Sequence, residues 1–191
     1  MSLSGLPVVI VLASGRGERF AASGGGTHKL QALLAGKPVL ARTLEAVAAS
    51  GLPWHLEDAG HPGMGDSIAA AVRATPDAAG WLVLPGDLPL VQAATLRAVA
   101  DALARHAVVV PMYQGARGHP VGFSAACRDA LLALTGSRGA SPVVQAQAAL
   151  NAVGFIDVAD EGTVIDIDTL QDLQRAEALL CLLYTSDAAD E

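Results

Sequence analysis

At 191 residues, the chain is long enough for one well-buried domain and too short for two comfortable ones. A hydrophobic share of 52% with only 4% aromatic residues describes a core of Ala, Val and Leu, as in sheets covered by helices on both faces. The net charge of −7 argues against broad binding of nucleic acid or anionic membranes, so a polyanionic ligand must be held by locally clustered cations.

Val8 to Ala13 reads as a buried strand that empties into Ser14-Gly15-Arg16-Gly17-Glu18-Arg19-Phe20, with Lys29 beyond it. A parallel strand delivers its carboxyl end to a ligand crevice, glycines let backbone N–H groups approach an anion, and Arg16, Arg19 and Lys29 supply positive charge. Two stricter phosphate motifs are excluded. The third small residue of the dinucleotide fingerprint is replaced by Phe20, and Gly36-Lys37 is followed by Pro38 where a P-loop needs Ser or Thr.

Gly36-Lys37-Pro38 opens a helix whose inward stripe is Val39, Leu40, Thr43, Leu44 and Val47, stopped by Ser50-Gly51. Residues 53–58 read as a short strand. His61-Pro62-Gly63-Met64-Gly65 then turns into a helix capped by Asp66 or Ser67 and running to about Thr75. Trp81 to Leu84 is a second apolar strand that ends at Pro85-Gly86-Asp87-Leu88-Pro89. A helix over roughly 92–106 feeds a strand at 108–111. Residues 113–118 form a turn, His119 to Phe123 leads into a helix capped by Ser124, and Gly136 and Gly139 break that helix. A helix from about Pro142 to Leu150, a segment 154–158, a last strand Thr163–Ile167 and a final helix capped by Thr169 complete the order. Strands alternating with helices predict an α/β fold with a mostly parallel sheet.

Cys127 and Cys181 form no metal spacing, and no apolar run approaches the roughly 18 residues that span a bilayer. The expectation is a cytoplasmic protein without disulfides and without membrane contact. Residues 181–191 change character abruptly in mid-helix, which reads as a non-native, disordered extension after a domain of residues 1–180.

Four segments in this order resemble the molybdenum cofactor cytidylyltransferases, which are MobA-like NTP transferases: Leu12 to Arg19 with Lys29-Leu30, Gly63 to Ser67, Pro85 to Pro89, and Gly118 to Val121 followed by Asp166 to Thr169. The resemblance implies a single-domain, three-layer, doubly wound α/β fold of the nucleotidyltransferase (GT-A-like) kind, here with one βα unit shortened between Gly51 and Pro62. It implies transfer of CMP from CTP to the phosphate of molybdopterin or its molybdenum-loaded form, with release of pyrophosphate. In that scheme Leu12, Ala13, Ser14, Gly15 and Gly17 wrap the triphosphate, and Gly63, Met64, Gly65 and Ser67 lie by the base and ribose. Lys29 acts on the α-phosphate and Arg19 on terminal phosphate oxygens. Asp87 holds Mg2+, Asp168 is the second metal ligand with Asp166 as runner-up, and Arg117 and His119 face the acceptor. His28 and His61 are read as loop residues. Transient contact with a molybdoenzyme or its chaperone belongs to the same picture. The alternatives are GTP as donor, another phosphorylated acceptor, or a non-catalytic nucleotide or cofactor carrier.

Overall fold

Alternation along the two central strands shows how the sheet is built. On β1 (Val8–Leu12), Ile10 joins one apolar cluster while Val9 and Val11 join another. On β5 (Gly80–Pro85), Trp81 and Val83 face the first cluster and Leu82 and Leu84 the second. Strands buried on both faces must be covered by helices on both, giving three layers. The protein is described here by a computed structural model covering residues 5–15 and 17–187, with side chains described as far as Leu182.

After β1 come α1 (Glu18–Ala22), β2 (Leu33–Leu34), β3 (Lys37–Pro38), α2 (Val39–Ser50), β4 (Trp54–Glu57) and α3 (Met64–Ala74). β5 is followed by α4 (Ala93–Ala102), β6 (Val108–Tyr113), β7 (Ala116–Arg117), β8 (Val121–Ser124), α5 (Arg128–Leu132), α6 (Ser141–Ala149), β9 (Val153–Asp157) and α7 (Leu170–Asp187). The main sheet runs β4-β1-β5-β8-β6-β7, with β9 also on β6. β4, β1, β5, β6 and β9 share one direction and β8 and β7 oppose it, so the sheet is mostly parallel. Val47, Leu96 and Val99 from α2 and α4 cover one face. Ile68, Val72, Leu131 and Val143 from α3, α5 and α6 cover the other.

A third cluster, of Phe20, Leu30, Leu34, Ile165, Ile167 and Ala176, binds the phosphate-type loop to the C-terminal segment. Gly25 lies against the Phe20 ring and donates its N–H to Phe20 O (3.1 Å), while Ser23 Oγ accepts from Leu170 N (3.1 Å). The glycine-rich run after α1 is therefore docked against the start of α7.

Four local expectations are corrected. Thr163–Ile167 is not a strand. A 3-10 turn spans Glu161–Val164, because Asp160 takes the N–H of Gly162 (3.0 Å) and its carbonyl takes the Thr163 hydroxyl (2.8 Å), bonds that compete with extended pairing. α3 begins at Met64, before Asp66 and Ser67, and neither caps it. The Asp66 carboxylate instead accepts from Gly136 N (2.8 Å) and Ser67 Oγ donates back to Gly63 O (3.2 Å). Ser124 makes no side-chain cap bond. Finally, α7 continues through residues 181–187 where disorder was expected, while residues 188–191 lie outside the described residues. At its other end Thr169 does cap: its hydroxyl accepts from Asp172 N (3.2 Å) and Asp172 Oδ2 accepts from Thr169 N (2.8 Å), a reciprocal capping box.

Candidate active site

The carboxyl ends of β1 and β5 lie side by side, with Leu12 in register with Pro85. That is where open α/β sheets place ligands. Asp87 follows β5 by two residues, and Gly86 N donates to Leu12 O (2.9 Å), which fixes this turn onto β1. Ile167 N donates to Asp87 O (3.0 Å) and brings the segment Asp166–Asp168 alongside.

Lys29 sits at the centre. Its ammonium donates to Asp87 Oδ2 (2.6 Å) and Asp168 Oδ1 (2.8 Å), and Arg19 Nη1 donates to Asp168 Oδ2 (2.8 Å). Burial alone would lower the Lys29 pKa. The charge of Asp87 and hydrogen bonds to both carboxylates outweigh it, so the pKa stands above the ordinary lysine value. The Asp168 pKa is held below the carboxylate range, first by the Lys29 hydrogen bond, against the opposing pull of its own burial. The Asp166 pKa is raised, by burial first, with the charges of Asp87 and Asp168 adding to it. One carboxylate oxygen from each of Asp87, Asp166 and Asp168 lies within 4.8 Å of the others, and buried Asp87 Oδ1 has no hydrogen-bond partner. Three hard oxygen donors, one of them unsatisfied, suit a divalent cation such as magnesium.

Two hollows open onto this cluster, and a third adjoins the first. The first, about 340 Å³, is walled by Leu12, Ser14, Gly15, Lys29 and Asp87 on one side and by Gly63, Met64 and Ser67 on the other. Ser14 and Ser67 touch across it, Oγ to Oγ at 3.1 Å. The second, about 310 Å³, lies between Gly15, Gly17, Arg19, Lys29 and Asp168. The third, about 370 Å³, shares Leu12, Met64 and Pro85 with the first, has an apolar floor of Val83, Val110 and Phe123, and is rimmed by Arg117, His119 and Arg138. The Arg117 guanidinium stacks over Phe155, 5.5 Å from the ring centroid. His119 Nδ1 is buried without a hydrogen-bond partner, and burial lowers its pKa against the opposing charges of Asp87 and Asp166.

The structure thus brings together Lys29, Arg19, Asp87 and Asp168 at one junction, with Leu12, Ser14, Gly15, Gly17, Gly63, Met64 and Ser67 in its walls and Arg117 and His119 in the neighbouring hollow. Ala13 and Gly65 fall elsewhere. Ala13 N donates to Glu57 O (2.8 Å) and its side chain packs against the cluster around Phe20. Gly65 is buried against the chain's own loop, where an added Cβ would come within 2.8 Å of Thr135 O, and a Cβ on Gly63 would collide with Gly136. These glycines permit close approach of α3 to the 135–136 loop. Arg16 lies outside the described residues. Arg138 and Ser137 line the hollows although the sequence reading gave them no role, and His61, read there as loop, is a wall of the first hollow. The spacing Glu57-x3-His61 was the available signal for the last of these.

A mostly parallel sheet covered by helices on both faces is the fold that this chain shares with solved nucleotidyltransferases. The model of the MobA-like NTP transferase domain matches residues 44–151, more than half of the chain, and the chain belongs to that family. The matched stretch holds Gly63 to Ser67, Asp87, Arg117 and His119, while Leu12 to Lys29 and Asp166 to Asp168 lie outside it. The bifunctional protein GlmU of Stenotrophomonas maltophilia is 33% identical over 145 residues, which cover 64% of this chain and 30% of that protein. The chain thus spans under a third of the length of this curated relative. Among solved structures, a nucleotidyl transferase from Methanothermobacter thermautotroptrophicus superposes with TM-score 0.77 at 19% identity, covering 94% of this chain and 99% of the other. The molybdopterin-guanine dinucleotide biosynthesis protein A of Archaeoglobus fulgidus gives TM-score 0.60 at 20% identity, covering 91% and 98%. Both show the same fold. Among the described residues, no helix is long and apolar enough to cross a membrane.

Proposed function

We propose that the chain transfers CMP from CTP to the phosphate of a molybdopterin-type acceptor, releasing pyrophosphate. The observation that carries this reading is the Lys29 ammonium held between Asp87 and Asp168, in the wall shared by the 340 Å³ and 310 Å³ hollows. The nucleoside occupies the 340 Å³ hollow, its phosphates extend past Lys29 toward Arg19, and the acceptor enters the hollow rimmed by Arg117 and His119. An acceptor phosphate oxygen attacks the α-phosphorus and pyrophosphate departs in line, so the site must tolerate negative charge on both sides of the displacement. Lys29 meets the reacting phosphate as a point charge, and the Arg19 fork suits terminal oxygens. An ionised phosphate needs no general base. Asp87 and Asp168, with Asp166, would hold Mg2+, which when bound neutralises charge on the departing pyrophosphate.

A phosphate-bearing acceptor matches the cationic rim, and the family to which the chain belongs supports the molybdopterin assignment. The free thiols of Cys127 and Cys181 suit the reducing cytoplasm. Delivery of the product to a molybdoenzyme or its chaperone is part of the same reading. The match to GlmU favours a second one, an NTP transferase with another base or another phosphorylated acceptor. Calorimetric titration of CTP and of GTP with magnesium, followed by pyrophosphate release with and without molybdenum-loaded molybdopterin, separates the two. CTP binding together with acceptor-dependent release is expected. Release that depends on GTP, or on a sugar phosphate, selects the second reading, and nucleotide binding without turnover selects a carrier.

A further inference from the structure

Glu57, the last residue of β4, carries a carboxylate in an unusual place. Its side chain is only 7% exposed, yet among the described residues no lysine or arginine pairs with it. Its partners are two imidazoles and a backbone amide: His61 Nε2 lies 3.2 Å from Oε1, His55 Nε2 lies 3.5 Å from Oε2, and Ala59 N donates to Oε1 (3.2 Å). His55 and Glu57 share a face of the strand by the two-residue period, and the turn through Ala59 returns His61 to the same carboxylate. The carboxylate thus holds the Nε2 side of the His61 ring, and His61 is itself a wall of the 340 Å³ hollow beside Gly63 and Met64.

An imidazole nitrogen facing a carboxylate carries the proton, so the neutral ring is the Nε2–H tautomer and Nδ1 is left as a hydrogen-bond acceptor. We infer that His61 is a base-selecting residue of the nucleoside hollow, its Nδ1 accepting from an exocyclic amino group, and that Glu57 is the positioning residue that fixes this tautomer. The inference rests on the reading of that hollow as a nucleotide site and adds what discriminates within it. Cytosine and uracil differ at the relevant edge by an amino donor against a carbonyl acceptor. An acceptor that the bound base covers is left unpaired when it faces a carbonyl, the situation that rejects near-isosteric ligands most strongly. The inference selects CTP over UTP.

The test is binding of CTP and UTP to the full chain by calorimetry, with magnesium, in wild type and variants whose circular dichroism matches it. Wild type should favour CTP by about tenfold or more, and His61→Phe, which keeps a ring and removes the acceptor, should bring the ratio close to one. Glu57→Gln retains an oxygen for Ala59 N and His61 Nε2 and should keep most of the preference, whereas Glu57→Leu should lose it. Nitrogen-15 spectra of the histidines should show His61 as the Nε2–H tautomer in wild type, with its Nδ1 resonance moving on addition of CTP. Equal affinity for CTP and UTP in wild type, an unchanged ratio in His61→Phe, or His61 protonated at Nδ1 would each overturn the inference while leaving the nucleotide site in place. Failure of every nucleoside triphosphate to bind would overturn the site reading with it.

Discussion

Lys29 touches more of the chemistry than any other side chain described, and its position sets two opposed expectations. Its ammonium already lies between two carboxylates that are themselves candidate cation ligands, so it competes with a divalent ion for the same negative charge. Lys29→Met removes that competitor. In the nucleotide-free protein the variant should bind manganese more tightly than wild type, read by electron paramagnetic resonance of the free ion. The same change removes the positive charge that the reacting phosphate needs, and turnover should fall by about 100-fold or more, as when one preorganised electrostatic group is deleted. Tighter metal binding with lost activity is the signature of a shared role. Looser metal binding would mean that Lys29 orders the carboxylates rather than competing with the ion. Asp87→Asn should weaken the metal and abolish turnover together, because the unpartnered Oδ1 is the oxygen most in need of a cation.

At the scale of elements, the packing of α3 against the 135–136 loop depends on residues with no side chain. Gly65→Ala inserts a methyl within 2.8 Å of Thr135 O, and overpacking of this kind costs about 1–3 kcal/mol, measurable by urea unfolding. Since Gly63, Met64 and Ser67 wall the 340 Å³ hollow proposed for the nucleoside, the same variant should also raise KM for the nucleotide by displacing the start of α3. Thr169→Ala should cost about 1 kcal/mol through loss of the reciprocal cap on α7. The elements most legible in the sequence were those with a continuous apolar run or a clear stripe, β1, β5 and α2, whereas the pairing of Lys29 with Asp87 was reachable only through the resemblance of the motifs that carry them. Less legible were features decided by tertiary contacts. Asp66 looks like a helix cap, yet its carboxylate goes to Gly136 N, seventy residues away. Thr163 to Ile167 has β-branched composition, yet Asp160 bends it into a turn. The glycines of Gly63-Met64-Gly65 announce a close approach without saying to what: Gly63 both walls the first hollow and packs on Gly136, whereas Gly65 meets only the chain's own loop at Thr135. Arg138 carried no local pattern that distinguishes a wall residue from a solvated loop, and His61 carried only its spacing from Glu57.

For the whole molecule, the shifted groups give a pH dependence whose sign follows from which state holds the proton. His119 has its pKa pushed below the ordinary 6.5 by burial, so as pH falls under 6.5 the unfolded chain takes up a proton that the folded chain refuses. Stability then falls with pH, because the unfolded state binds more protons, and the fall levels off once the folded-state pKa is passed. Asp168 acts in the same direction but lower: its depressed pKa supports the fold above 3.8, and that support is lost as pH drops through the folded value. Lys29 has a raised pKa and supports the fold throughout the range below 10.5, its contribution fading only at higher pH. Between the histidine and lysine windows none of these three groups changes protonation in either state, so their contribution to stability there is flat. The acid slope can be assigned by comparing wild type with His119→Gln in urea titrations across the histidine range. The variant should lose the decline that begins at 6.5 and keep the later one below 3.8, since the Asp168 ion pairs with Lys29 and Arg19 are untouched. An unchanged slope in the variant would move the titrating group away from the hollow lined by His119. Loss of both declines would mean that His119 and the carboxylate cluster titrate as one coupled unit.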